Sequence, residues 1–203
     1  MIKKYTITLA ALLVSGMLVH SARAESLSPG DQAPDARVHT AQGEPVQLRS
    51  VLERGPSVVI FYRGGWCPYC TKHLAALAGV EEKLKERGFQ ILALSPDRPE
   101  KIRDAQKDAV FQYELLSDSS MEAAKAFGLA FTLDEDTLAQ LDSYGIDIED
   151  ASGETHHMLP VPAVFIVDQD GTIRFAHADP NYKQRLDPDQ IIREAHKIKK
   201  QRN

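Results

Sequence analysis

The chain has 203 residues and carries a formal net charge of −5 at neutral pH. That length suits a single domain with a full hydrophobic core, and the acidic balance argues against nucleic acid or an anionic membrane surface as partner. There are two cysteines, and both lie in one short motif.

The chain opens with a basic stretch, Met1 to Tyr5, followed by an apolar run from Ile7 to Val19 and small residues at Ala22-Arg23-Ala24. This is the layout of a secretory signal peptide with an A-x-A cleavage site. The run is shorter than the roughly 20 apolar residues a spanning helix needs, so residues 1–24 are expected to be cleaved rather than to anchor the chain. Cleavage leaves residues 25–203 as one domain. It also removes Lys3, Lys4 and Arg23, taking the charge from −5 to −8. The expected location is therefore periplasmic or secreted, where disulfides persist, with no membrane span after cleavage.

Leu27 to Asp35 is a turn-rich entry, and two short extended pieces, Arg37–His39 and Val46–Leu48, flank Gly43-Glu44-Pro45 as a peripheral hairpin. Val58 to Tyr62 is an apolar, β-branched and aromatic run that reads as a buried strand. Gly64 and Gly65 then permit a sharp turn. Trp66-Cys67-Pro68-Tyr69-Cys70 follows, and from Thr71 the pattern is helical, with Leu74, Leu77, Ala78 and Leu84 on one face and Gly88 placed to end it.

Phe89 to Ser95 is a second buried strand. Pro99 opens a helix to about Ala109, and Tyr113 to Leu116 is a third strand. Ser119 with Glu122 reads as a capping box for a helix through Phe127. Leu129 to Pro160 breaks the rhythm with a helix over Asp134–Tyr144 and a polar loop over Asp147–His157. Ala163–Val167 and Thr172–His177 form a hairpin around Gly171. Asp187 and Pro188 then start a last helix that buries Ile191, Ala195 and Ile198. The order β-α-β-α-β-α, then a hairpin and a C-terminal helix, implies an α/β fold: a central mixed sheet with helices on both faces.

A Cys-x-x-Cys at a strand-to-helix turn admits four chemistries. As a structural disulfide it would close a loop of four residues, worth only roughly 2 kcal/mol of chain entropy. As a zinc site it offers Cys67, Cys70 and His73 but no second Cys pair, and structural zinc takes four protein ligands. As a copper-delivery site the pair would need His156, His157 and Met158 as further soft ligands. As a redox dithiol it needs one accessible thiolate and a second thiol close by to resolve the mixed disulfide. A helix start supplies both: the first cysteine exposed, the second about one turn in. Arg63, Lys72 and His73 lie close in sequence, and the helix dipole favours negative charge. The redox reading is the one adopted, and it calls for no organic cofactor and no metal.

Trp66-Cys67-Pro68-Tyr69-Cys70 resembles a thioredoxin-type active site with the Pro-Tyr dipeptide typical of glutaredoxins. The longer run Phe61 to Cys70 is similar to the AhpC/TSA (alkyl hydroperoxide reductase/thiol-specific antioxidant) peroxiredoxin-like proteins. So are Pro29 to Pro34, Leu92 to Ser95, Leu116 to Asp118, Val161 to Asp168 and Asp179 to Pro188. The resemblance covers essentially all of residues 25–203 and implies a thioredoxin-like fold. It further implies a cis Val161–Pro162 bond facing the cysteines and a substrate groove shaped by Trp66 and Pro162. In the thioredoxin register Cys67 attacks and Cys70 resolves. In the peroxiredoxin register Cys70 is peroxidatic, Cys67 stands where that family has a threonine, and the strand expected to carry an arginine begins with Pro162, leaving Arg63 as a possible stand-in. Either register implies a disulfide or peroxide substrate and an external dithiol reductant, thioredoxin-like or membrane-linked.

Overall fold

The computed structural model of the protein describes residues 26–107 and 109–202; the signal-peptide expectation for residues 1–24 lies outside them. The strand at the centre, β3 (Ser57–Phe61), is buried at every position. Its side chains alternate between two cores, as a period of two requires. Val58 and Ile60 face the side covered by α2 (Pro68–Lys85), α3 (Pro99–Lys107) and α7 (Pro188–Arg202), where Leu74, Leu77, Leu84, Ile102, Ile191, Ala195 and Ile198 meet them. Val59 and Phe61 face the other side, covered by α1 (Leu48–Leu52) and α4 (Glu122–Ala126). On that side Phe61, Phe127 and Phe165 form an aromatic cluster with centroid separations of 4.9, 6.1 and 5.1 Å, within the range of favourable edge and tilted contacts.

Around β3 the sheet is mixed, as expected. β4 (Gln90–Ser95) and β5 (Glu114–Ser117) continue it in parallel, and β8 (Ala163–Val167) pairs with β3 in antiparallel register from Ser57–Val167 to Phe61–Ala163. The hairpin partner β9 (Ile173–Ala178) forms one edge, and the hairpin of β1 (Arg37–Thr40) and β2 (Pro45–Gln47) the other. The full order is β2-β1-β5-β4-β3-β8-β9. Asp187 caps α7 by accepting from the Asp189 and Gln190 amides at 2.8 and 3.3 Å. Among the described residues, no helix is long and apolar enough to cross a membrane.

Three local expectations are corrected. Ser119 does not form a capping box with Glu122. Asp118 takes that role, its carboxyl accepting from the Ala123 and Ala124 amides at 2.9 and 2.8 Å, while Glu122 turns away to accept from the Arg37 amide. Second, Asp147–His157 is not all loop. Asp147 caps a short helix, α6 (Ile148–Ser152), by accepting from Asp150 N, and Gly153 at φ 75° ends it. With α5 (Glu135–Ser143), capped by Asp134, and a two-stranded sheet of β6 (Ala130–Thr132) and β7 (Met158–Pro160), the segment builds its own small core of Leu133, Leu141, Ile148 and Leu159. Trp66 packs against this core, so the insertion braces the Cys motif. Third, no peptide bond among the described residues is cis, Val161–Pro162 included. Val161 N donates to Leu129 O and Pro162 O accepts from Asp179 N, so the chain already runs extended from β7 into β8 and a trans proline continues it.

Candidate active site

β3 ends at Phe61, and the chain then makes the turn that sets up the cysteines. Gly64 sits at φ 141°, and a Cβ there would strike Trp66 Nε1 and come within 2.8 Å of Asp97 Oδ1. Glycine is therefore required by conformation and by space. Gly65 N donates to Asp97 Oδ2 at 2.7 Å, and Ser95 Oγ donates to the same oxygen at 3.1 Å, which ties the turn to the end of β4. Burial raises the Asp97 carboxyl to about 6.

The helix starts three residues earlier than its apolar pattern suggests. Cys67 is the N-cap of α2 with Pro68 at its first position, where proline's missing N–H leaves nothing unpaired. Cys67 O accepts from Cys70 N and Thr71 N at 2.9 and 3.1 Å, placing Cys70 one turn in. No disulfide joins the two cysteines in this structure.

Both cysteines are 1% exposed, which corrects the expectation of an exposed first cysteine. Both belong to the apolar core beneath α2, with Trp66 packed against it and Arg185 on Cys70 Sγ. The two sulfurs are electrostatically unequal. The Cys67 thiol is pulled well below its ordinary value of 9.0, first by hydrogen bonding from the Cys70 side chain and then, against the cost of burial, by the positive charges of Arg63 and Arg185. The Cys70 thiol is driven upward because it is the partner that keeps its proton, and burial adds to this. The site is built to hold one thiolate and one thiol.

Arg63 is 7% exposed, with its guanidinium stacked 4.2 Å from the Tyr182 ring and 5.2 Å from the Trp66 ring. A cation over partly exposed rings gains about 0.5–1 kcal/mol. Tyr182 also meets Tyr69 edge-on at 5.8 Å. Arg185 donates from Nη2 to Cys70 Sγ at 3.2 Å, its Nη1 being held by the carbonyls of Tyr182 and Gln184. Asn181–Arg185 reads from the sequence as a loop near the site with no assigned role, and the segment 181–187 between β9 and α7 does lie against the Cys pair. The only local signal for Arg185 was its place beside the apolar Leu186 in an otherwise polar run.

Other sequence candidates fare differently. His73 is buried and its Nε2 lies 3.0 Å from Leu186 O, so that nitrogen carries the hydrogen; burial holds the imidazole down to about 4. It anchors the 181–187 segment as a neutral group and adds no positive charge near the thiolate, while Lys72 points into solvent. Pro162 is buried and lines a small cavity with His73, Gln184, Arg185 and Leu186. Trp66 is half-buried and borders a cleft of about 230 Å³ with Asp97, Lys101 and Ile146. The copper reading loses its ligands. His156 Nε2 meets Ser119 O at 2.7 Å and its Nδ1 accepts from Met158 N, while His157 bonds to Glu149. No group of three or more His, Cys, Asp or Glu side chains converges on a metal position among the described residues.

A mixed sheet that delivers a Cys-x-x-Cys to the start of its central helix defines a thioredoxin-fold thiol oxidoreductase. Residues 29–176 match the model of the AhpC/TSA family, and the chain belongs to that family. It is 30% identical over 151 residues to a putative peroxiredoxin of Mycobacterium tuberculosis, covering 72% of this chain and 82% of the relative. It is also 27% identical over 149 residues to the thiol-disulfide oxidoreductase ResA of Bacillus cereus, covering 73% of this chain and 69% of the relative. Among solved structures, the peroxidoxin BcpB of Mycobacterium tuberculosis superimposes with a TM-score of 0.67 at 21% identity, over 85% of this chain and 98% of that one. The thioredoxin-like architecture and a thiol-dependent oxidoreductase activity are thereby established.

Gly64→Ala tests the turn. The substitution forces a strained φ costing about 1–3 kcal/mol and displaces Trp66. Since Trp66 is the single tryptophan, its fluorescence should shift to the red, with a lower denaturation midpoint. Unchanged emission and stability would show that the turn does not depend on glycine.

Proposed function

We propose that the chain is an extracytoplasmic thiol-disulfide oxidoreductase in which Cys67 is the nucleophile and Cys70 the resolving thiol. Residues 1–24 are its cleaved signal peptide and residues 25–203 its catalytic domain. The observation that carries this reading is the asymmetry of the pair: Cys67 at the N-cap of α2 is favoured as thiolate, and Cys70, one turn in, holds the proton. Reduced Cys67 attacks an oxidised sulfur and forms a mixed disulfide. Cys70 then displaces the product by closing the Cys67–Cys70 disulfide, which an external dithiol reduces again. Arg63 and Arg185 stabilise the negative sulfur, while Trp66 and Tyr69 border the entrance. Similarity to a protein named thiol-disulfide oxidoreductase supports this direction.

A second reading is supported by Arg185. Its guanidinium contacts Cys70 Sγ from outside the β8 strand, where the resemblance sought an arginine. A peroxidase with Cys70 peroxidatic would use that cation to lower the barrier to sulfur attack on a peroxide, and similarity to putative peroxiredoxins supports it. The elevated Cys70 thiol weighs against Cys70 attacking first.

Two measurements test the proposal. Reduced Cys70→Ser should trap a stable mixed disulfide with an oxidised disulfide substrate and reduced Cys67→Ser none, whereas sulfenic acid on Cys70 in Cys67→Ser after peroxide treatment would favour the peroxidase. Intact-mass analysis of protein exported by a Gram-negative host should find a chain lacking residues 1–24, and a full-length mass would remove the extracytoplasmic assignment.

A further inference from the structure

Buried charges are ordinarily paired, because removing an ion from water without a partner costs several kcal/mol. The Cys67–Cys70 site departs from this. Arg63 is buried, and its Nε lacks a hydrogen-bond partner. Its neighbours are the rings of Trp66 and Tyr182, which are neutral. Arg185 is held by two backbone carbonyls and by Cys70 Sγ. Neither guanidinium has an ion pair with a carboxylate among the described residues, although Arg49, Arg54, Arg98 and Arg174 all do. Asp97, the buried carboxyl behind Gly65, is engaged by Gly65 N and Ser95 Oγ and senses Lys101 rather than either arginine. Lys183 adds a further cation at the rim, its ammonium 5.8 Å from the Tyr182 ring.

The charge count is therefore unbalanced. Two guanidiniums surround two sulfurs of which one is ionised, which leaves a surplus of one positive charge in a chain whose net charge is −5. An arginine without a carboxylate partner is a strong and directional carboxylate binder. The sulfurs are covered, so a small disulfide reaches them with less displacement of the cover than a folded protein would need.

The geometry points to a low-molecular-weight, carboxylate-bearing disulfide as the substrate class, with Arg63 and Arg185 receiving its carboxylate while Cys67 attacks its sulfur. This rests on the disulfide-exchange reading above. Chemically, the Cys67 thiolate attacks one sulfur of R–S–S–R, the S–S bond breaks, and R–S⁻ leaves. Cys70 gives up its proton and attacks Cys67 Sγ, expelling the second R–S⁻. One disulfide is reduced to two thiols, the protein pair is oxidised by two electrons to the Cys67–Cys70 disulfide, and the Cys70 proton together with one from solvent ends on the released thiols.

The test uses the reduced protein and three symmetric disulfides: 3,3′-dithiodipropionate (dianionic), 2-hydroxyethyl disulfide (neutral) and cystamine (dicationic). Each rate of protein thiol loss is divided by the rate of dithiothreitol with the same probe, which removes intrinsic reactivity. The dianion should exceed the dication by at least about tenfold, the effect of one charge-assisted contact. Arg63→Gln should collapse that ratio to within about threefold, a quotient insensitive to any change in the thiolate fraction. Should Arg63→Gln fail to fold, suberate, which has a similar span and no disulfide, serves with the wild-type protein: it should slow the reaction with 2-hydroxyethyl disulfide. Equal corrected rates, a cationic preference, or no slowing by suberate would overturn the carboxylate assignment and leave disulfide exchange standing. No reaction with any of the three probes would overturn both.

Discussion

One proton shared unequally between two sulfurs is the constraint on which the site depends. Cys67 can be held as a thiolate inside a covered site only because Cys70, one helical turn away, presents a thiol to it and because two guanidiniums lie close. Without those partners, burial would push the Cys67 thiol up and quench it. The surrounding architecture keeps this arrangement in place. β3 delivers the turn, Gly64 lets it close against Trp66 and Asp97, and Pro68 starts α2 at once so that Cys67 falls at the cap.

The enclosure is assembled from distant parts of the chain. Arg185 lies 115 residues from Cys70, on the segment between β9 and α7, and His73 on α2 fixes that segment by its bond to Leu186 O. Trp66 is braced from the opposite side by the small core that the insertion builds for itself. A surface that would otherwise leave the cysteines open is thus roofed by aromatic rings with a cation between them. On the proposed function, the contacts that hold the thiolate are also the ones a substrate meets.

Much of this was legible in the sequence, because much of it is local. The apolar run of β3, the glycine turn, the Cys-x-x-Cys and the one-faced pattern of α2 depend on residues a few positions apart, and the element order follows from them. The cap of α4 was misread because two acceptors compete for the same amides: Asp118 reaches Ala123 N and Ala124 N, and Ser119, one residue on, does not. The strands β6 and β7 went unseen because each has three residues, too few to display a period. The cis expectation at Pro162 came from resemblance alone, and the extended entry from β7 does not call for it. Arg185 could not be identified from spacing, since nothing near it in sequence points back to the cysteines. The burial of Cys67 is likewise a tertiary effect, since it lies in the core cluster built from several elements.

The central claim is tested most directly by following thiolate absorbance near 240 nm as the reduced protein is titrated. One equivalent of thiolate should appear on the acid side of neutrality while the second thiol stays protonated well past pH 9, and Cys70→Ala should move the first ionisation upward by removing its hydrogen-bond donor. Two equivalents appearing together near the ordinary thiol value, unaffected by Cys70→Ala, would contradict the account.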